Sequence, residues 1–360
     1  MANQLFDKYT LENITLNNRV VMAPMTRSRA INNIPNDLMA TYYAQRASAG
    51  LIITEGTSPS PNGLGYARIP GIYSAEQIEG WKKVTKAVHD IGGKIFIQFM
   101  HTGRVSHEDN LPAGATVVGS SNIVAAGEMW TDAHGMLPHT PPLALTTEGV
   151  KLTIQEYVQA AKNAVEAGFD GVELHAANGY LIEQFLNGAI NNRTDEYGGS
   201  VENRSKFLLE IATQTVAAIG KEKVGVRISP FSTFNDIPAY DGVEETYIYI
   251  AQKLNEIDIA YLHYLDHSAT GLDLVSQDLR NTFRTTFKNT LISCGAFTKD
   301  SAEAALQSAQ VDLIAFGKPY LSNPDLVERL EANADLAQPN FDLLYMPGAE
   351  GYTDYPSLSK

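Results

Sequence analysis

The chain has 360 residues, 44% hydrophobic and 19% charged, so a large core can form and wholesale disorder is excluded. Its 27 basic and 41 acidic residues leave a net charge of −14, a poor match for nucleic acid or an anionic membrane. The single cysteine, Cys294, excludes an intrachain disulfide, a paired-cysteine redox motif and a cysteine-rich zinc site, and no metal is expected.

In chain order, residues 1–13 lack the cationic and apolar regions of a secretory signal. No apolar run approaches the ~18 residues needed to span a bilayer. A soluble, cytoplasmic protein is expected. Residues 5–16 read as a small hairpin that could plug the bottom of a barrel. A rhythm then begins: a short apolar run, a break rich in Gly, Pro or Asn, and an amphipathic stretch. The runs are residues 20–23, 51–54, 95–98, 172–175, 224–228, 259–262, 291–293 and 313–315. Each is β-rich and bounded by breakers, as buried parallel strands are.

Helical faces follow the runs. Ile78, Trp81, Thr85 and Val88 share one face before Gly92-Gly93. Ile154, Tyr157, Val158, Ala161 and Val165 share one over residues 153–168. Ser200 precedes a helix over 201–219 that ends at Gly220. Val243, Tyr247, Ile250 and Leu254 line another, and Asn323-Pro324 reads as the cap and first residue of the last helix. Eight strand–helix units in order predict a single α/β domain over residues 1–360, a (β/α)8 TIM barrel. A doubly wound open sheet is the alternative. Residues 102–147, between the third strand and its helix, hold Pro112, Pro138, Pro141, Pro142, Trp130, His134 and His139. A loop that long reads as an active-site lid, against the alternative of a disordered insertion.

In such a barrel the site is built at the C-terminal strand ends. There stand Pro24, Met25 and Thr26; Glu55 and Gly56; Gln98 and His101; His175, Asn178 and Tyr180; Arg227; Gly295, Ala296 and Phe297; and Gly317 and Lys318. Gly295 and Gly317 let backbone N–H groups approach an anion. A helix starts near Thr298, and Lys318 adds a full charge, so a phosphate is expected there. The alternative is that both glycines merely turn the chain. His175 and Asn178 can each donate a hydrogen bond to one oxygen, and Tyr180 can serve as a general acid. A satisfied core histidine is the alternative for His175. Gln98 and Arg227 lie on strands that should be buried, and need partners there. A flat, acceptor-rich heterocycle would supply them; a structural network including Glu173 would too.

The blocks at 172–181 (VELHAANGYL), 192–204 (NRTDEYGGSVENR), 18–27 (NRVVMAPMTR), 98–104 (QFMHTGR) and 351–356 (GYTDYP) resemble the old yellow enzyme family, over nearly the whole chain. The likeness is greatest to the N-ethylmaleimide/pentaerythritol tetranitrate reductase branch, the ene-reductases. The resemblance implies an FMN-containing barrel that oxidises NADPH and reduces enones, maleimides and nitroalkenes by ping-pong hydride transfer through FMN N5. It implies that Pro24, Met25, Thr26, Gly56, Gln98 and Arg227 contact the flavin ring and that Gly295, Ala296, Phe297, Gly317 and Lys318 hold its phosphate. His175 and Asn178 would bind the substrate oxygen and Tyr180 would protonate the α-carbon. Tyr66, Met100 and Tyr352 would line the substrate pocket. A monomer or weak homodimer is implied, with no nucleic-acid or membrane partner.

Lys318 stands where the family more often has arginine, which loses the bidentate fork on phosphate and weakens FMN binding. Met100 replaces a common bulky aromatic, which leaves the pocket roomier. Strand parity adds one expectation: if His175 points inward, so does Glu173, and Arg227 is the cation to pair it. The other readings are a reductase acting mainly on nitro compounds or nitrate esters and a non-catalytic flavin binder. A glycosidase using Glu55 and Glu173 and a zinc hydrolase using His101, His134 or His139 fit poorly.

Overall fold

The computed structural model describes residues 4–272 and 274–358, and its strands begin with the expected hairpin. Strands β1 (Tyr9–Leu11) and β2 (Ile14–Leu16) pair antiparallel. Leu11 and Leu16 are buried in one cluster with Val21, Leu51, Phe96 and Leu313, inward residues of the barrel, so the hairpin closes one end of it.

Strands β3 (Val20–Met22), β4 (Leu51–Thr57) and β5 (Ile95–Phe99) follow, with helices α1 (Asp37–Ala44) and α2 (Ala75–His89) between them. The insertion after β5 is folded. It holds a short parallel pair, β6 (Val118–Gly119) with β9 (Leu143–Ala144), and a hairpin, β7 (Glu128–Thr131) with β8 (Gly135–Pro138). Next come α3 (Thr147–Glu166), β10 (Gly171–Ala176), α4 (Leu181–Leu186), α5 (Val201–Ile219) and β11 (Val224–Ile228). The chain ends with α6 (Val243–Ile257), β12 (Tyr261–Leu265), α7 (Gln277–Thr286), β13 (Thr290–Cys294), α8 (Lys299–Gln307), β14 (Leu313–Phe316), α9 (Lys318–Ser322) and α10 (Leu326–Ala332). β3, β4, β5 and β10 to β14 close into a barrel of parallel strands, β5 pairing β10 and β14 pairing β3. This is the TIM barrel, and the open sheet is excluded. Among the described residues no helix is long and apolar enough to cross a membrane.

Among the boundaries that differ from expectation, three have a clear local reason. Helix α3 starts at Thr147, because the Thr146 hydroxyl accepts from the Gly149 N–H and caps it there. Strand β12 is displaced toward its polar end: its inward residues are Tyr261 and His263, so hydrophobicity alone stops it too early. Asn323 does not cap the last helix. Its amide donates to the Pro319 and Ala337 carbonyls, and α10 begins at Leu326 after Asp325.

Candidate active site

Period-two alternation aims Glu173 and His175 of β10, Gly225 and Arg227 of β11, and Tyr261 and His263 of β12 into the barrel. The register sets His175, Arg227 and His263 side by side in one row. Gln98, Glu173, Gly225 and Tyr261 form the row beneath. A Cβ on Gly225 would lie 2.1 Å from the Tyr261 ring, so glycine is what lets that ring cross β11.

Glu173 is the hub of the lower row. The Gln98 Nε2 donates to its Oε1 at 2.8 Å, and the Tyr261 hydroxyl and His263 Nδ1 reach its Oε2 at 3.1 and 2.8 Å. Burial opposes its charge, but His263, Arg227 and Gln98 outweigh burial and hold the carboxyl below its usual range. Burial pushes His263 down, so a neutral ring donates from Nδ1. The expected Glu173–Arg227 pair is thus corrected: the hydrogen-bonded partners are Gln98, Tyr261 and His263, and Arg227 acts through space. The Arg227 Nη2 lies 3.6 Å from Cys294 Sγ, and its Nε is buried without a partner.

The upper row carries further unpaired polarity. His175 Nδ1 is also buried without a partner. Burial, then the charge of Arg227, push His175 well below the ordinary imidazole value, so it stays neutral. The Tyr180 ring stands edge-on to His175 at 5.0 Å, and its hydroxyl lies 3.0 Å from that of Tyr66. Burial raises the pKa of both phenols, so both remain protonated at neutral pH. Tyr180 and Met100 pack with Leu64, Ile69, Val105, Ala125 and Met129, so the 102–147 insertion lies directly on this cluster. Of the insertion's own candidates, Trp130 is exposed at 51%, and among the described residues no His, Cys, Asp or Glu cluster is fit to hold a metal.

Pro24, Met25 and Thr26 leave β3 half-buried. A Cβ on Gly56 would meet the Met100 sulfur at 2.5 Å, so the close approach of Met100 by itself already requires glycine there. Tyr352 lies inside a packed aromatic–cationic cluster. It is fully buried, stacked on Tyr42 at 4.0 Å with the Arg27 and Arg29 guanidinium groups over its ring.

At the seventh and eighth strand ends, Thr298 caps α8 through a capping box with Ser301, as expected. A Cβ on Gly317 would have no neighbour nearer than 3.8 Å, so this cradle is open. Lys318 is exposed, lies 4.9 Å over the Phe341 ring and forms no ion pair among the described residues. One donor is spoken for: the Ala296 N–H donates to the Ser268 hydroxyl at 2.7 Å. The orphaned Arg227 Nε and His175 Nδ1, the Gln98 amide, the open Gly317 cradle and the free Lys318 together fit FMN, whose ring is acceptor-rich and whose tail is a phosphate.

Sequence reasoning missed Tyr261, His263, Glu183, Ser229 and Asn235. Polar residues inside otherwise apolar segments were the available signal for His263 and for Glu183, which sits in the buried helix LIEQFL.

Residues 4–337 match the family described as NADH:flavin oxidoreductase / NADH oxidase. A probable flavin mononucleotide-dependent alkene reductase of Leishmania infantum is 41% identical, covering 95% of this chain and 94% of its own. A structure of a morphinone reductase N189A mutant in complex with tetrahydroNAD superposes with a TM-score of 0.94 at 42% identity, over 99% of this chain and 98% of that one. The old yellow enzyme homologue from Zymomonas mobilis gives a TM-score of 0.94 at 40% identity, over 98% of this chain and 99% of that one.

Proposed function

The chain belongs to the old yellow enzyme family of FMN-dependent flavin oxidoreductases, and we propose that it uses NADPH to reduce activated C=C bonds conjugated to a carbonyl or nitro group. The observation that carries this reading is the grouping of neutral His175, Asn178 and the protonated Tyr180 at the end of β10, beside Arg227.

Bound FMN supplies the two-electron relay between the nicotinamide and the alkene. Gln98 and Arg227 would hold its ring, with Pro24, Met25 and Thr26 at its border. Gly295, Phe297, Gly317 and Lys318 would hold its phosphate, with Ala296 joining once the Ser268 hydroxyl turns away. His175 and Asn178 donate to the substrate's oxygen, drawing electrons from the alkene. His175 suits this because it is neutral and its ring is held against Tyr180. Tyr180 delivers the proton to the α-carbon, and the Tyr66 hydroxyl at 3.0 Å can return one to it. The 102–147 insertion acts as the cover that keeps water from this step, packing on Tyr180 and Met100 through Val105 and Met129.

An anaerobic absorbance titration tests the reading. Purified protein should be yellow, bleach on adding NADPH and regain colour with 2-cyclohexenone. Colour that fails to return would reassign the acceptor, nitro compounds first. Protein that binds no FMN on reconstitution would overturn the reading.

A further inference from the structure

Asn178 and Gly179 both have left-handed backbone, with φ of 58° and 80°. Asparagine tolerates this conformation but does not prefer it, so something must hold it. Side chains from outside the pair bind all four of its backbone polar groups. Ser229, just past β11, accepts from the Asn178 N–H at 2.8 Å, and Glu183 of α4 accepts from the Gly179 N–H at 2.6 Å. Asn235 and Gln184 donate to the Asn178 and Gly179 carbonyls, each at 2.8 Å.

Glu183 ties this clamp together. Its carboxylate also accepts the Ser229 hydroxyl at 3.1 Å and the Tyr247 hydroxyl of α6 at 2.6 Å, and it is only 3% exposed. Because Ser229 gives its one proton to Glu183, its oxygen is oriented to receive the Asn178 N–H. A carboxyl this buried is costly on a short apolar helix, and two of its three partners, the Gly179 N–H and the Ser229 hydroxyl, bear directly on the Asn178–Gly179 pair. The Asn178 side-chain amide, by contrast, makes no hydrogen bond among the described residues.

We propose that Glu183, acting through Ser229, is a positioning residue that locks the Asn178–Gly179 pair so that the Asn178 amide points its N–H at the substrate oxygen. This rests on the reading of Asn178 as an oxygen ligand. Glu183 itself touches neither substrate nor cofactor in that reading.

A double-mutant cycle on the FMN-loaded enzyme tests it, run near pH 8, where the carboxyl that burial pushes up to about 7 is ionised. Glu183→Gln and Ser229→Ala should each lower kcat/KM for 2-cyclohexenone about tenfold, mainly through KM, and leave flavin content and bleaching by NADPH unchanged. Ser229→Thr, which keeps the hydroxyl, should restore activity. In an Asn178→Ala background both effects should shrink to about twofold or less. A full effect that persists in that background overturns the proposal, because the loss then bypasses Asn178. So does wild-type turnover in Ser229→Ala while Asn178→Ala is impaired. If Asn178→Ala alone leaves enone turnover intact, the oxygen-ligand reading fails and the positioning role falls with it. Ser229→Ala removes one hydroxyl and carries the test should Glu183→Gln not fold.

Discussion

Replacing Glu173 with alanine should cost the barrel more than any other single truncation near its mouth. The substitution strands the Gln98 amide, the Tyr261 hydroxyl and the His263 Nδ1–H, all of which now converge on this carboxylate. Each buried donor left without a partner costs about 1–3 kcal/mol. It also removes a negative charge that interacts with Arg227 through space. Relief from burying the carboxylate offsets part of this, and breaking a buried charged site nets about 3–5 kcal/mol. For a chain of 360 residues that corresponds to a fall in Tm of about 5 °C. Glu173→Gln keeps one accepting oxygen and turns one N–H pair toward the donors, so about half that fall is expected. Thermal melts followed by circular dichroism, with and without added FMN, measure both. The FMN-dependent gain in Tm should also shrink in both variants, because Gln98 loses its carboxylate acceptor and Arg227 the negative charge that acts on it through space. A Glu173→Ala protein that melts within about 1 °C of the wild type would refute the network as a source of stability.

Tyr180→Phe removes the proposed proton donor, so enone turnover should fall about a hundredfold while bleaching by NADPH is unaffected. Equal loss in both steps, read by stopped-flow absorbance, would point to a disturbed flavin site instead. Lys318→Arg should tighten FMN several-fold, because an exposed side chain free of ion pairs can offer phosphate a fork. An unchanged Kd from flavin fluorescence would sink that idea. Glu55 is fully buried, accepts from the Arg27 N–H and the Tyr43 hydroxyl, and is raised by burial to about 7 from 4.5. A raised acid holds its proton in the folded state after the unfolded chain has released it. Its contribution is therefore complete below about pH 4.5 and is lost as pH rises through about 7, amounting to about 3 kcal/mol. Urea melts from pH 5 to 8 should show that decline, and Glu55→Gln should flatten it. An equally steep decline in the variant would mean that other groups are responsible.

The strands were legible because parallel strands buried on both faces are nearly unbroken apolar runs. Helix starts were legible where the capping chemistry is local, as at Ser200 and Thr298, whose hydroxyls accept from Asn203 and Ser301. Asn323 carries the same local signature and fails, because distant Ala337 competes for its amide. The same division runs through the site. His175, Asn178 and Tyr180 were readable as candidates because they fall within six consecutive residues at the end of β10. The partners of Glu173 were not, because they follow from the register of β10, β11 and β12 and from the missing Cβ at Gly225. The packing of Tyr352 was not legible for a related reason. A motif records which residue is present, while the stacking on Tyr42 depends on where the C-terminal segment returns to the barrel.

The barrel's inner wall is divided by polarity. On β10 to β12 and at Gln98 the inward residues donate, accept or carry charge. On β13, β14, β3 and β4 they are Ile292, Cys294, Leu313, Ala315, Val21, Ala23, Leu51 and Ile53. A uniformly apolar barrel would be more stable, since buried charge and hydrogen-bonding groups bring little net stability of their own. The polar half is therefore evidence of use rather than of folding need. Glu173 fixes Gln98 within its own row and His263 from below, and Glu183 fixes the Asn178 loop from the side. In both places the buried carboxylate acts on a neighbour that faces the mouth. A ring with one hydrogen-bonding edge and one hydrocarbon edge matches such a wall in one orientation only. In the proposed function, the polar strand ends that would hold the FMN ring would also present His175 and Asn178 to the substrate's oxygen.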